Sequence, residues 1–202
     1  MSDIAIRTLS GHELAPYLAD LARLRIAVFR EYPYLYDGTA EYEEKYLQTY
    51  LDSPDSVVIL ALDGDRAIGA STGLPMTDET GEFQAPFIEH GYDPARVFYC
   101  AESVLLPEYR GKGIYKRFFT GREDHARNLG RFDWCAFCCV QRPGDHPRRP
   151  ADYAPLDPVW RKFGYVQHPE LFTAYQWKDL DEEEEFFKPM VFWLKSLREA
   201  NP

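Results

Sequence analysis

The sequence has no run approaching the roughly 20 apolar residues that an α-helix needs to cross a bilayer, so no helical membrane span is expected. Its opening, Met1-Ser2-Asp3-Ile4-Ala5-Ile6-Arg7, lacks a basic segment followed by a long apolar one. No secretory signal is read there, and a cytoplasmic protein is the expectation. Positive charge is scarce: 23 Lys and Arg face 33 Asp and Glu, for a net charge of −10. That balance argues against nucleic-acid binding, which needs a basic face, and is compatible with a cationic substrate. Only four cysteines are present, too few for a disulfide scaffold and in keeping with a reducing compartment. Cys135 and Cys138 have the Cys-x-x-Cys spacing of metal and redox sites. Residues 133–140 read as a strand, however, and positions three apart on a strand face opposite ways. The two thiols are therefore expected to be small buried hydrophobes. The acidic tract 181–185 lacks calcium-loop spacing and reads as a solvated turn. No metal is expected. Also missing are a Gly-Lys-Ser/Thr phosphate loop and a Gly-x-Gly-x-x-Gly fingerprint.

What is present points to a folded globule. Of 202 residues 45% are hydrophobic and 15% aromatic, enough for one domain spanning 1–202. Residues 97–129 organise it. The segment 97–106 is β-branched and aromatic, with Glu102 inside it. Pro107 ends the strand, Arg110-Gly111-Lys112-Gly113 follows, and Ile114, Phe118, Ala126 and Leu129 then recur at helical spacing. A glycine turn feeding a helix N-terminus aims unpaired N–H groups and a positive dipole end at one spot. Such a spot suits an anion, above all a pyrophosphate, and Arg110 and Lys112 add charge.

Along the rest of the chain, 4–9 alternates as a strand, and Ser10-Gly11-His12-Glu13 is a capping box for a helix to about Arg30. Residues 32–38 form a loop holding three tyrosines. Thr39 caps a second helix whose glutamates, Glu41, Glu43 and Glu44, read as a solvated face, with Tyr42, Tyr46, Leu47 and Tyr50 as its apolar stripe. Residues 56–62 and 66–74 are strands joined by an Asp-Gly hairpin. The polar stretch 77–94, with a short helix near 85–90, is long enough to be a lid or binding element. After the strand 133–140, residues 141–155 are too proline-rich for regular structure and read as a basic surface loop. A short helix over 156–163 ends at Gly164, and strands follow over 172–177 and 190–197.

The unit strand, proline, Arg-Gly-Lys-Gly-Ile resembles the acetyl-CoA-binding signature Arg/Gln-x-x-Gly-x-Gly/Ala of the GCN5-related N-acetyltransferase (GNAT) superfamily. It is met by Arg110 and Gly113, and departs at Tyr115. Trp160-Arg161-Lys162-Phe163-Gly164-Tyr165 resembles the superfamily's Tyr-Glu-Lys-x-Gly-Phe helix end, with Trp160 at the place of the tyrosine that protonates the leaving thiolate in many members. The order of elements resembles the same superfamily over nearly the whole chain. The resemblance implies an α/β fold: a mixed, mostly antiparallel sheet of about seven strands flanked by helices. It also implies acetyl-CoA as cosubstrate and a splay between the fourth and fifth strands. Pantetheine would lie there on the backbones of Leu105 and Leu106, and the pyrophosphate on Arg110, Gly111, Lys112, Gly113, Ile114 and Tyr115. Members of the superfamily often dimerise, so a homodimer is a candidate assembly.

Acetyl transfer to an amine needs a base, an oxyanion donor and an acid for the thiolate. Glu102 is the leading base, its carboxylate expected to be desolvated on the half-buried strand face of Phe98, Cys100 and Val104. The rival role for it is an ion pair with an arginine such as Arg66 or Arg96. An indole N–H is not an acid, so Trp160 cannot stand in for a phenol. Tyr153 is the favoured acid, with Tyr165 and Tyr115 as alternatives. His125 and His168 read as surface or core residues. The reading is an N-acetyltransferase acting on a small-molecule amine, its pocket shaped by 32–36 and 77–94. The alternatives are a catalytically inactive acyl-CoA-binding regulatory module and an unrelated phosphate-binding α/β domain.

Overall fold

Short alternating or continuous apolar runs make the strands, and amphipathic runs the helices that cover them. The structure, a computed structural model, describes residues 4–198. Its sheet has eight strands: β1 (Ile4–Leu9), β2 (Val57–Asp63), β3 (Arg66–Pro75), β4 (Val97–Tyr99), β5 (Ser103–Leu105), β6 (Trp134–Val140), β7 (Val166–Trp177) and β8 (Phe186–Ser196). They run in the order β1-β2-β3-β4-β6-β8-β7, with β5 beside β3. The expected seven strands become eight because the segment 97–106 is broken in two. β4 pairs with β6 in parallel, whereas the other pairings are antiparallel.

Five α-helices flank the sheet: α1 (Leu18–Phe29), α2 (Ala40–Asp52), α3 (Gly81–Glu89), α4 (Ile114–Leu129) and α5 (Asp157–Lys162). The capping box at Ser10 is present, but Pro16 keeps the first turns in a tighter 3₁₀ form, so α1 starts only at Leu18. Thr39 caps α2 as expected, accepting from the Tyr42 amide. The stretch 77–94 is more ordered than its polarity suggests, folding as α3 between two short 3₁₀ turns.

The core packs the sheet against Leu21 and Leu24 of α1, Leu47 of α2 and Phe87 of α3, and against α4, whose Ile114, Phe118 and Ala126 are buried. Gly121 allows this close packing: a Cβ there would meet Ile59 Cδ1 at 2.7 Å. Cys135 is fully buried and Cys138 nearly so, and all four thiols are free. One expectation fails on this side of the molecule. Glu43 is not solvated; it is fully buried and paired with Arg25 of α1. Helical spacing placed it on a polar face, but α1 packs over that face and supplies the counter-ion.

Candidate active site

β4 follows β6 until Cys100 donates its N–H to Ala136 O at 2.7 Å, and there the two part. Residues 100–102 form a bulge that carries the chain over to β3. Four contacts pin it: the Thr72 amide (3.0 Å), Ser71 Oγ (3.0 Å) and Arg122 Nη1 (3.1 Å) donate to Glu102 O, and the Glu102 amide donates to Thr72 Oγ1 at 3.4 Å. A bulge breaks a ladder and re-aims side chains, which is why it suits a site. Beyond it β5 bonds only to β3. Because Glu102 O and the Leu106 amide face β3, the alternate residues Ser103 and Leu105 turn their backbone groups to the opposite, open edge. The expectation for Leu106 is corrected accordingly: its N–H is committed to Ile68 O at 3.0 Å.

The opening leads into a cavity of about 240 Å³ bounded by 100–103, by 137–142 and by side chains of α4 and α5. A second cavity, of about 190 Å³, lies between α1, α2, the turn at 78–80 and β7. The two meet at Phe29, Tyr34, Ala101, Glu102 and Cys138. Ala101, at this junction, has an N–H with no hydrogen-bond partner among the described residues.

Glu102 is 7% exposed. Its Oε2 faces Arg25 Nη1 at 2.8 Å and accepts from the Tyr46 and Tyr50 hydroxyls at 3.2 and 3.3 Å. Its Oε1 is buried and unpaired. The partner arginine is thus Arg25, which also lies 4.0 Å over the Tyr46 ring. Arg66 and Arg96 instead pair with Glu108 and Asp133. Across the second cavity stands Glu79, at the end of a 3₁₀ turn. Burial pushes its carboxyl up to about 7, against the pull of the Thr80 amide; nearby Glu102 adds to the rise and Arg25 opposes it. Nothing in the local sequence marks Glu79, since it sits in a plain acidic turn. The tyrosines of α2 gave more warning, recurring every four residues where a core stripe would carry aliphatics.

At the other end of the opening, Gly111 and Gly113 hold φ of +76° and +79°, the left-handed region that glycine enters freely. They turn the chain into α4. Arg110 donates to Leu105 O at 3.1 Å and pairs with Glu31, and Lys112 lies over Tyr109. Tyr115 accepts a hydrogen bond from Trp160 Nε1 at 2.9 Å, and both line the first cavity. The two departures from the superfamily pattern are therefore one contact. Tyr153 also lines this cavity, edge-on to Tyr32 and beneath Arg149. Tyr165 is 1% exposed and lines neither cavity. His125 and His168 bond to Asp55 O and to Glu170, away from both. Among the described residues no group of three or more His, Cys, Asp or Glu is placed to hold a metal.

No family model matches the sequence, and no curated protein matches it. Solved structures do. An acetyltransferase of the GNAT family from Streptococcus pneumoniae superposes with TM-score 0.57 at 13% identity, covering 96% of this chain and 99% of that one. The chain has the GNAT fold. An aminoglycoside 6′-N-acetyltransferase complexed with coenzyme A gives TM-score 0.60 at 12% identity, covering 98% of this chain and 99% of that one. NAA60 of Arabidopsis thaliana in complex with acetyl-CoA gives TM-score 0.62 at 12% identity, covering 96% and 98%. Within the GNAT fold, the parting of β4 from β6 is the splay expected between the fourth and fifth strands, because β4 and β5 together are the broken fourth strand.

Proposed function

We propose that the protein is an acetyl-CoA-dependent N-acetyltransferase that acts on the amine of a small molecule. One observation carries this: a strand splay, capped at one end by the glycine loop of α4, meets a separate acidic and aromatic cavity at Ala101 and Glu102. The coenzyme would run along the open edge, with pantetheine bonded to Ser103 and Leu105 as an added strand bonds to a sheet edge. The pyrophosphate would sit on the amides of Gly111, Lys112, Gly113, Ile114 and Tyr115, beside Arg110.

In that pose the thioester lies at the junction of the cavities. The free Ala101 N–H is the donor for the oxyanion. The unpaired Oε1 of Glu102 accepts an N–H of the incoming amine and points its lone pair at the carbonyl, while Arg25 balances the carboxylate charge. Two phenols line the coenzyme cavity as acids for the departing thiolate, Tyr115 and Tyr153. Only Tyr115 is oriented by a hydrogen bond that leaves its own proton free. Desolvation raises its pKa, keeping it protonated near neutrality.

Calorimetric titration tests the reading. Acetyl-CoA is expected to bind at micromolar Kd, with ADP much weaker. Gly113→Val, which forces a β-branched residue to φ +79° and puts methyl groups where the pyrophosphate approaches, is expected to weaken binding at least tenfold. Unchanged affinity in a folded variant overturns the placement. Trp160, an indole at the usual tyrosine, favours the rival reading of a non-catalytic acyl-CoA module. Turnover of any amine by pure protein, lost in Glu102→Gln, removes it.

A further inference from the structure

The second cavity has an unusual wall. Seven tyrosines line it, among them Tyr42, Tyr46 and Tyr50 of α2, Tyr99 of β4 and Tyr175 of β7, together with Phe83 and Trp177. The rings come from α2, α3, β4, β7 and the loop after α1, and are fixed by contacts to one another. The Tyr42 and Tyr175 hydroxyls are 2.7 Å apart, Tyr46 and Tyr50 3.1 Å, and Phe83 packs on Tyr99 and Tyr175 at 5.3 and 5.6 Å. Three carboxylates, Asp78, Glu79 and Glu102, face into it, with Arg25 as the single cation on its wall. Ring faces and carboxylates attract an ammonium group, and the rings also welcome an apolar body.

Glu79 differs from the other acids in its surroundings. Glu102 is tied to Arg25, and Asp78 accepts from Ser53 Oγ at 2.6 Å. The carboxylate of Glu79 accepts only from the adjacent Thr80 amide, at 3.4 Å. Resting on the transferase reading above, we propose that this cavity takes a compact primary amine carried on an apolar or aromatic body, and that Glu79 is the catalytic proton acceptor for it. The arriving ammonium gives one proton to the Glu79 carboxylate. The neutral nitrogen, held by Glu102 Oε1, attacks the thioester carbon; the N–C bond forms and the C–S bond breaks. The second proton shed by nitrogen replaces the one a phenol gives to the thiolate. The products are an amide, free coenzyme A and a proton on Glu79.

Burial pushes the Glu79 carboxyl up to about 7, which suits a proton acceptor working near neutral pH. The groups facing it are Asp78 on its own turn, Arg25 from α1, Tyr46 and Tyr50 from α2, Tyr99 from β4, Glu102 from the bulge, Cys138 from β6 and Tyr175 from β7. The Thr80 amide and Arg25 favour the ionised form, as would an incoming ammonium. Activity therefore rises with pH through a limb at or below about 7.

The test uses the full chain, acetyl-CoA, and three probes: 2-phenylethylamine, spermidine and glycine. Product is followed by mass spectrometry, and acetyl-CoA affinity by calorimetry. Expected is turnover of 2-phenylethylamine well above the other two. Glu79→Gln is expected to lower kcat about 100-fold, in the range of general-base contributions, to abolish the limb near pH 7, and to leave acetyl-CoA affinity unchanged. Wild-type kcat and pH profile in Glu79→Gln overturn the role of Glu79. Acetyl-CoA bound but 2-phenylethylamine not acetylated overturns the acceptor class while the transferase reading stands. Failure to bind acetyl-CoA overturns both.

Discussion

At the scale of single residues, the site is a set of exchanged partners. Tyr115 occupies a position where the superfamily pattern has glycine or alanine, and Trp160 one where it has tyrosine. Side by side in space, the indole donates to the phenol. A phenol therefore stands on α4, not on α5, and lines the first cavity. Tyr115→Phe is expected to lower kcat about 10- to 100-fold with little change in acetyl-CoA affinity, read in steady-state kinetics and calorimetry. Tyr153→Phe, at the outer rim against Tyr32, is expected to leave kcat within about twofold. The reverse result would give the acid role to Tyr153. Glu102 shows the same dependence on partners. Its burial follows from the apolar strand around it, but that Arg25 answers it, rather than Arg66 or Arg96, depends on how α1 crosses the sheet.

At the scale of elements, the broken strand sets the chemistry. β4 and β5 would be one strand were it not for the bulge at 100–102, which exists because Ser71, Thr72 and Arg122 satisfy the backbone groups it exposes. Arg122 is 2% exposed, its guanidinium 4.8 Å over the Phe119 ring and reaching both Thr72 O and Glu102 O. Arg122→Met removes a donor from Thr72 O and one of the three donors from Glu102 O, which keeps the Thr72 amide and Ser71 Oγ. It is expected to cost about 1–3 kcal/mol of unfolding free energy in urea, by the loss of hydrogen bonds from a buried charged donor. Acetyl-CoA binding is expected to weaken with it, because the open edge of Ser103 and Leu105 loses its brace. Loss of stability with full acetyl-CoA affinity would mean that the bulge holds without Arg122.

At the scale of the molecule, the sheet is two halves in contact over a short seam. β1, β2, β3 and β5 form one, and β4, β6, β7 and β8 the other, joined where β3 meets β4. A ligand in the splay touches both, so it binds the folded chain and not the unfolded one. Acetyl-CoA at 100 times its Kd is expected to add about 2.7 kcal/mol, and so to raise the thermal midpoint by about 5–10 °C for a chain of this size. Differential scanning fluorimetry against ADP checks this; no shift at saturating acetyl-CoA overturns selective binding to the folded chain.

How much of this was legible beforehand follows from the range of the forces involved. Strand and helix periodicity, the Asp-Gly hairpin, the caps at Ser10, Thr39 and Gly164 and the glycine loop before α4 are all local. They depend on neighbours within a few residues, so the sequence by itself determined the order of elements and the glycine turn before α4. The opposed placement of Cys135 and Cys138 follows from the same period of two. The break at 100–102 is not local, because an apolar segment with one acid reads as a continuous strand until Ser71, Thr72 and Arg122 are brought to it. The burial of Glu43 and the choice of Arg25 as the partner of Glu102 are likewise set by the crossing of α1 and α2. Glu79, an ordinary acid in a polar turn, acquires its character only when the tyrosines of α2, β4 and β7 are brought around it and partly shield it from water. Local rules decide which elements form; desolvation and the pairing of distant charges, which decide what the site can do, come only with the tertiary structure.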